Sequence, residues 1–315
     1  MRPTFSIILF TVLSGAGYGL LFLCGLGMAI DGLPANDSAP LLVGGLLVSV
    51  GLMASVGHLG KPMRAWRAFS QWRSSWLSRE GIAALATYVP LVVLLSLWFP
   101  CRGNCVWLSL RIPACLLLAA GCVVTVFCTA NIYACLKPIR AWNNAYTLPL
   151  YLLLGLYSGA MLLLTLDWPP VHSGAYDARM QWLWLATAII IAPSCALLKW
   201  RYWQWLDTRA VTPDAGSATG LDRIGSVQSF EQPHTEENYL THEMGFVLAR
   251  KHSRRLRRIA FWLILLAPLA VFALGWLIGW PAAWLALALG MTGIFVERWL
   301  FFAEAKHAVM AYYGR

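Results

Sequence analysis

The sequence predicts an all-α polytopic membrane protein, with eight transmembrane helices and a duplicated helical hairpin, in a single domain over residues 1–315. Three observations predict it. Hydrophobic residues make up 59% of the chain and charged residues 12%, whereas a soluble domain is nearer half and a quarter. The mean hydropathy is +0.62. Eight apolar runs reach the length of about 20 residues that a helix needs to cross a bilayer.

The runs are 5–30, 39–59, 81–100, 111–135, 146–167, 180–205, 258–279 and 281–303. The first is too long for a secretory leader, carries only Arg2 before it, and has no small-residue cleavage site. The seventh and eighth are joined by Gly279-Trp280-Pro281, a tight helical hairpin. Pro113, Pro149, Pro193 and Pro268 lie inside the runs and read as kinks, since neighbouring helices can re-satisfy the freed carbonyls. Trp98, Trp107, Trp168, Trp182, Trp200, Trp203, Trp280 and Trp284 sit near run ends, as an interfacial aromatic belt does.

Eight spans place both termini on one side. That side carries 20 of the 24 Lys and Arg residues, and the opposite loops carry Arg102, Arg111 and Arg179. The positive-inside rule therefore makes the termini and the basic loops cytoplasmic, in a bacterial inner membrane. The net charge of +10 is a topology signal and gives no reason to expect nucleic-acid binding.

The eight cysteines show no zinc or cluster spacing. Cys101 and Cys105 share an outer loop where a disulfide could form. Cys115, Cys122, Cys128 and Cys135 fall in the fourth run, where cysteine serves as a small apolar filler.

Lys61-Pro62-Met63-Arg64-Ala65-Trp66-Arg67 recurs 76 residues later as Lys137-Pro138-Ile139-Arg140-Ala141-Trp142-Asn143. Each copy joins two spans, so spans two and three echo spans four and five in parallel orientation. The ionisable pair is not repeated. Ala134 stands where the first copy has His58, and Leu156 where it has Glu80. A purely architectural need would be expected twice.

Residues 61–76 are too polar to span. Trp66, Phe69, Trp72 and Trp76 gather on one helical arc and Arg64 and Arg67 on the other, as in a helix lying in the headgroup plane. Lipid anchoring and partner docking both fit. Residues 207–257 form a polar, basic cytoplasmic loop, with 207–238 expected to be poorly ordered. A helix is expected from Thr241 into the seventh span. Its collar of Arg254, Arg255, Arg257 and Arg258 suits anionic lipid or an acidic partner.

His58 ends span two, before Gly60 and Pro62. Glu80 opens span three, after Ser78 as N-cap. Antiparallel succession sets the two at one depth on the cytoplasmic side. Both residue types suit the macrodipole at those helix ends, which is the bland explanation. The sharper one is proton-coupled quinone chemistry. A histidine can bond a quinone carbonyl and pass a proton near neutral pH, and a partly desolvated carboxylate can do the same. Ionisable groups at membrane depth cost about 2.5–3.5 kcal/mol and usually mark a site. Bis-histidine haem is not expected. His172, His234, His242, His252 and His307 lie outside the spans, so electrons must cross to another subunit. Glu297 and Arg298, in span eight, read as a snorkelling arginine with its neutralising carboxylate, or as a secondary part of the quinone site.

The sequence resembles the anchor subunits of the dimethyl sulfoxide reductase family. The resemblance rests on His58-Leu59-Gly60 followed by Pro62-Met63-Arg64-Ala65, on Leu77-Ser78-Arg79-Glu80, and on the late Glu297 and Phe301-Phe302 span. It covers essentially the whole chain. It implies that His58 and Glu80 bind menaquinol. It also implies two partners, a four-cluster iron–sulfur subunit and a molybdenum bis-pterin catalytic subunit, with no haem or metal held here. The basic 207–257 segment is similar to that of relatives serving cytoplasmic sulfite dehydrogenases, which send electrons into the quinone pool. Lys61, Arg64 and Arg140 are expected to shape the docking surface for the iron–sulfur subunit. A secondary transporter and a purely structural anchor remain as alternatives of other classes.

Overall fold

The computed structural model describes residues 3–31, 38–57, 61–98, 109–166, 175–208, 214–227, 230–231, 248–279 and 281–313. Among these residues the fold is all-helical, with eight helices long and apolar enough to cross a membrane. They are α1 Phe5–Asp31, α2 Ala39–Gly57, α3 Trp76–Trp98, α4 Arg111–Ala134, α5 Thr147–Leu166, α6 Ala175–Thr208, α7 Leu248–Ile278 and α8 Pro281–Ala303.

The bundle is organised around α1 and α5, the two most deeply buried spans. α1 packs on α2, α4, α5 and α8, while α3 leans on α4 and α7 pairs with α8. Small residues set the central crossing. A Cβ at Gly19 would collide with the Gly155 carbonyl, and one at Gly159 with the Gly19 backbone. In lipid, where no hydrophobic force drives helices together, such close backbone approach and its van der Waals contact hold the pair.

Helix boundaries differ from expectation where polar residues extend a helix beyond its apolar run. α3 starts at Trp76, five residues early, and α6 extends to Thr208. Pro193 and Pro268 lie inside helices as expected, and so does Pro90. Pro113 and Pro149 instead occupy the third position of α4 and α5. A missing N–H costs nothing there, because first-turn donors have no intrahelical acceptor. Gly279 (φ 65°) ends α7 in the left-handed region. Its N–H donates to the Gly275 carbonyl at 3.0 Å, which turns the chain into Pro281.

The two echo segments fold differently. Pro62–Gln71 is a 3-10 helix. Its three-residue repeat eclipses Met63, Trp66, Phe69 and Trp72 on one face, so Met63 joins the aromatic row and Trp76 belongs to α3 instead. The second copy is a chain of turns from Cys135 to Tyr146. There the Trp142 indole donates to the Phe301 carbonyl at 2.9 Å, and Ala308 N–H to the Pro138 carbonyl at 3.0 Å. The Tyr202 hydroxyl donates to the Ala141 carbonyl at 3.0 Å. These bonds gather the ends of α4, α6 and α8 at one end of the bundle, the basic end.

Part of the polar segment takes up local helical structure. Ala215–Thr219 is a short helical turn capped by Asp214, whose Oδ1 accepts the Ser217 N–H at 2.7 Å. That donor holds the Asp214 carboxyl below the ordinary carboxylate value. Gly220 (φ 72°) closes the turn. The helix expected from Thr241 is described from Leu248 onward.

Candidate functional site

The 3-10 helix fixes the start of α3. The Ser78 hydroxyl donates to the Ala68 carbonyl, so Ser78 ties two helices together and does not act as an N-cap. Arg79 donates through Nε to the Trp72 carbonyl at 2.9 Å and through Nη2 to the Arg73 carbonyl at 2.6 Å. Its guanidinium lies 4.4 Å from the Trp76 ring centroid. A Cβ on Gly81 would meet the Phe69 ring, so that ring lies directly against the helix. The residues on either side of Glu80 are thus covered by the 3-10 helix.

Glu80 itself turns inward and is only 4% exposed. Its Oε1 accepts the Thr129 hydroxyl of α4 at 2.5 Å. Thr129 also approaches the Thr125 carbonyl at 3.0 Å, and Thr125 and Thr87 hydroxyls meet at 3.4 Å one turn deeper. A seam of hydroxyls therefore runs down the α3–α4 interface beneath a buried carboxyl. His58 lies outside the described residues, as do Cys101 and Cys105. Lys61, Arg64 and Arg140 are exposed at the basic end.

A second polar centre sits in the other half of the bundle. Arg298 does not snorkel. It is 3% exposed, and Glu297 beside it is fully buried. Arg298 Nε donates to Glu297 Oε2 at 2.5 Å, and Lys199 of α6 pairs with Glu297 Oε1. The reason is aromatic shielding. The Arg298 guanidinium lies 4.2 Å from the Tyr151 centroid, and Lys199 Nζ lies 4.1 Å from that of Tyr202. Cation–π attraction compensates part of the lost hydration, and the shared carboxylate compensates more.

Seven residues further on, just past the end of α8, Glu304 accepts from Arg257 Nε at 2.8 Å. Arg257 also holds Asp207 at 2.7 Å, and Asp207 is 56% exposed. Burial pushes the Glu304 carboxyl above the ordinary carboxylate value, against the opposing pull of Arg257. The Trp203 ring lies between the two levels, with Lys199 5.3 Å and Arg257 5.8 Å from its centroid.

A cavity between α1, α4, α5 and α8 joins the two centres. Its wall includes Thr129 on one side and Arg298 on the other, with Tyr18 and Tyr151 between. Both outer nitrogens of Arg298 and both tyrosine hydroxyls are buried without a well-formed hydrogen bond, Tyr151 lying beside Arg298 and Tyr18 beside Thr125. The void has room for about one or two water molecules. No group of three or more potential metal ligands occurs among the described residues.

Lys199 is the residue that sequence reasoning misplaced, having counted it with the loop cations that set topology. It falls inside the sixth apolar run, and a lysine within a span is itself the signal. Thr125 and Thr129, at helical spacing in a span, offered a weaker one.

A family model described as DMSO reductase anchor subunit (DmsC) matches residues 1–303. A sulfite dehydrogenase subunit of Allochromatium vinosum is 31% identical over 99% of each chain. Anaerobic dimethyl sulfoxide reductase chain YnfH of Escherichia coli K12 is 30% identical over 50% of this chain and 55% of that one.

Proposed function

Because the chain belongs to the DMSO reductase anchor subunit family, we propose that it exchanges electrons between membrane quinone and an iron–sulfur subunit. The third member of the complex is a molybdenum bis-pterin subunit. The observation that carries this reading is Glu80, a carboxyl buried at the basic end of a membrane bundle with a hydroxyl donor held on it. A structural anchor has no need of such a group, whereas quinone chemistry needs a proton carrier in an apolar wall.

In this reading His58 and Glu80 bond the quinone oxygens and carry its protons. Electrons pass directly to the partner, with no haem or metal in this chain. In the same reading the basic end faces the cytoplasm of a bacterial inner membrane, which the charge asymmetry supports. Exposed Lys61, Arg64 and Arg140 then face the iron–sulfur subunit. Likeness along the full chain to a sulfite dehydrogenase subunit favours sulfite as the electron source and quinone as the acceptor. The half-length match to a dimethyl sulfoxide reductase chain supports the reverse flow less well.

The test uses the intact complex carrying His58→Ala or Glu80→Gln. Assembly and turnover with an artificial electron carrier at the catalytic partner should persist, while quinone-linked sulfite oxidation falls about a hundredfold or more. Undiminished quinone-linked turnover in both variants would leave a structural anchor.

A further inference from the structure

The cluster of Lys199, Glu297 and Arg298 plays no part in the function proposed above, yet burying three charges is costly without a compensating arrangement. We infer that this cluster and the cavity beside Thr129 form an internal proton route between Glu80 and the surface at Asp207. The inference rests on the reading of Glu80 as the quinone-side proton carrier.

The positions of the groups argue for it. The direct way out from Glu80 is covered by the 3-10 helix, through the Ser78–Ala68 bond and the Phe69 ring on Gly81. The inward way is polar. Thr129 touches Glu80 and also lines the cavity, whose far wall is Arg298. Four donors there (two guanidinium nitrogens and two phenols) make no well-formed hydrogen bond, although Tyr151 adjoins Arg298 and Tyr18 adjoins Thr125. A buried donor without a partner costs about 1–3 kcal/mol. A cavity with several such donors and the Ser14, Ser158 and Thr129 hydroxyls in its wall is suited to water. Water at that point accepts from Arg298 and Tyr18 and bridges toward Thr129.

Beyond the cavity the groups form two levels. Glu297 with Lys199 is the inner one, and Glu304 with Arg257 and Asp207 the outer one. Glu297 and Glu304 are seven residues apart, Glu297 on α8 and Glu304 in the turn just past its end, about 10 Å along the helix axis. The Oε2 of Glu304 and the indole N–H of Trp203 between the levels are also buried and without partners. Asp207 opens the outer level to solvent.

Reduction of a quinone takes two electrons from the iron–sulfur partner and two protons, forming two O–H bonds. Glu80 supplies a proton to one oxygen and His58 to the other, and Glu80 recovers its proton through the Thr129 hydroxyl and cavity water. Glu297, bonded to the Arg298 that walls the cavity, passes the next proton toward that water and is recharged from Glu304, while Lys199 holds its carboxylate. Arg257 and Arg298 keep their protons throughout and hold the carboxylates in place. Quinol oxidation runs the same balance outward.

The experiment compares Glu297→Gln with Glu80→Gln in the intact, detergent-solubilised complex. Glu297→Gln should lower quinone-linked turnover about a hundredfold. Turnover with the artificial carrier and binding of a quinone-site inhibitor should stay at wild-type levels. Formic acid, a small proton donor, should restore part of the loss. Wild-type turnover, or a loss that formic acid does not restore, overturns the route. Should Glu297→Gln fail to assemble, Glu304→Gln carries the same comparison with the same two outcomes. A silent Glu80→Gln defeats the quinone reading itself. A silent Glu297→Gln beside an inactive Glu80→Gln defeats only the route.

Discussion

Thr129 and Glu80 meet across the α3–α4 interface in a 2.5 Å hydroxyl–carboxyl bond, and the same threonine lines the cavity that Arg298 bounds. One side chain thus belongs to both polar centres. Replacing Thr129 with Val removes the donor and leaves the carboxyl buried alone. We expect a stability loss of about 1–3 kcal/mol, read by thermal unfolding in detergent, together with slower quinone-linked turnover. Thr129→Ser keeps the hydroxyl and should restore both.

The Lys199–Glu297–Arg298 cluster predicts an asymmetry among its own variants. Glu297→Leu strands two buried cations at once and should cost about 3–5 kcal/mol. Lys199→Met leaves the Arg298–Glu297 pair intact and packs apolar volume against Tyr202, so its cost should be the smaller. Unfolding midpoints in a common detergent rank the two, and equal losses would contradict the shared-carboxylate geometry.

Close approach of α1 and α5 predicts intolerance at Gly19. Gly19→Ala drives a methyl into the Gly155 carbonyl and should cost about 1–3 kcal/mol, the usual range for overpacking. Gly15 has open space at its Cβ position, so Gly15→Ala provides the control and should leave the melting temperature nearly unchanged.

Glu304 gives a pH dependence of defined sign. Its folded-state carboxyl binds a proton more tightly than the unfolded one does. Its contribution is therefore complete below the ordinary carboxylate value and is lost as pH rises through the raised one. Glu304→Gln should flatten the fall in stability just above the ordinary carboxylate range. An unchanged slope in a pH series of unfolding midpoints would count against burial as the controlling influence.

Exposed Lys61, Arg64 and Arg140 predict a salt-sensitive assembly surface. Reversing all three to Glu should slow association with an acidic partner about tenfold or more at low ionic strength, with the difference shrinking as salt is added. Co-purification at two salt concentrations reads it.

The eight spans were legible because apolar runs of membrane length have few other uses. Glu80 was legible because a carboxylate at membrane depth is conspicuous. Lys199 was not, although it lies in plain view, because a cation at a span end ordinarily snorkels to the surface. Only the placement of Glu297 within reach of Lys199 distinguishes the two fates. Thr129 escaped notice since a hydroxyl in a span usually bonds its own helix, as Thr87 does to Ala83 at 2.7 Å. The 3-10 geometry of residues 62–71 was hidden as well, because a row of aromatics at spacing three fits an α-helical arc nearly as well.

The central α1–α5 crossing also bears on how the chain is made. Gly155 is synthesised 136 residues after Gly19, about 7 to 27 seconds later at ordinary elongation rates. Until then the glycine face of the first helix must rest against lipid or an assembly factor, holding the place of a partner not yet translated. Ribosome pausing before Leu150 would lengthen that wait and expose the nascent bundle to membrane proteolysis.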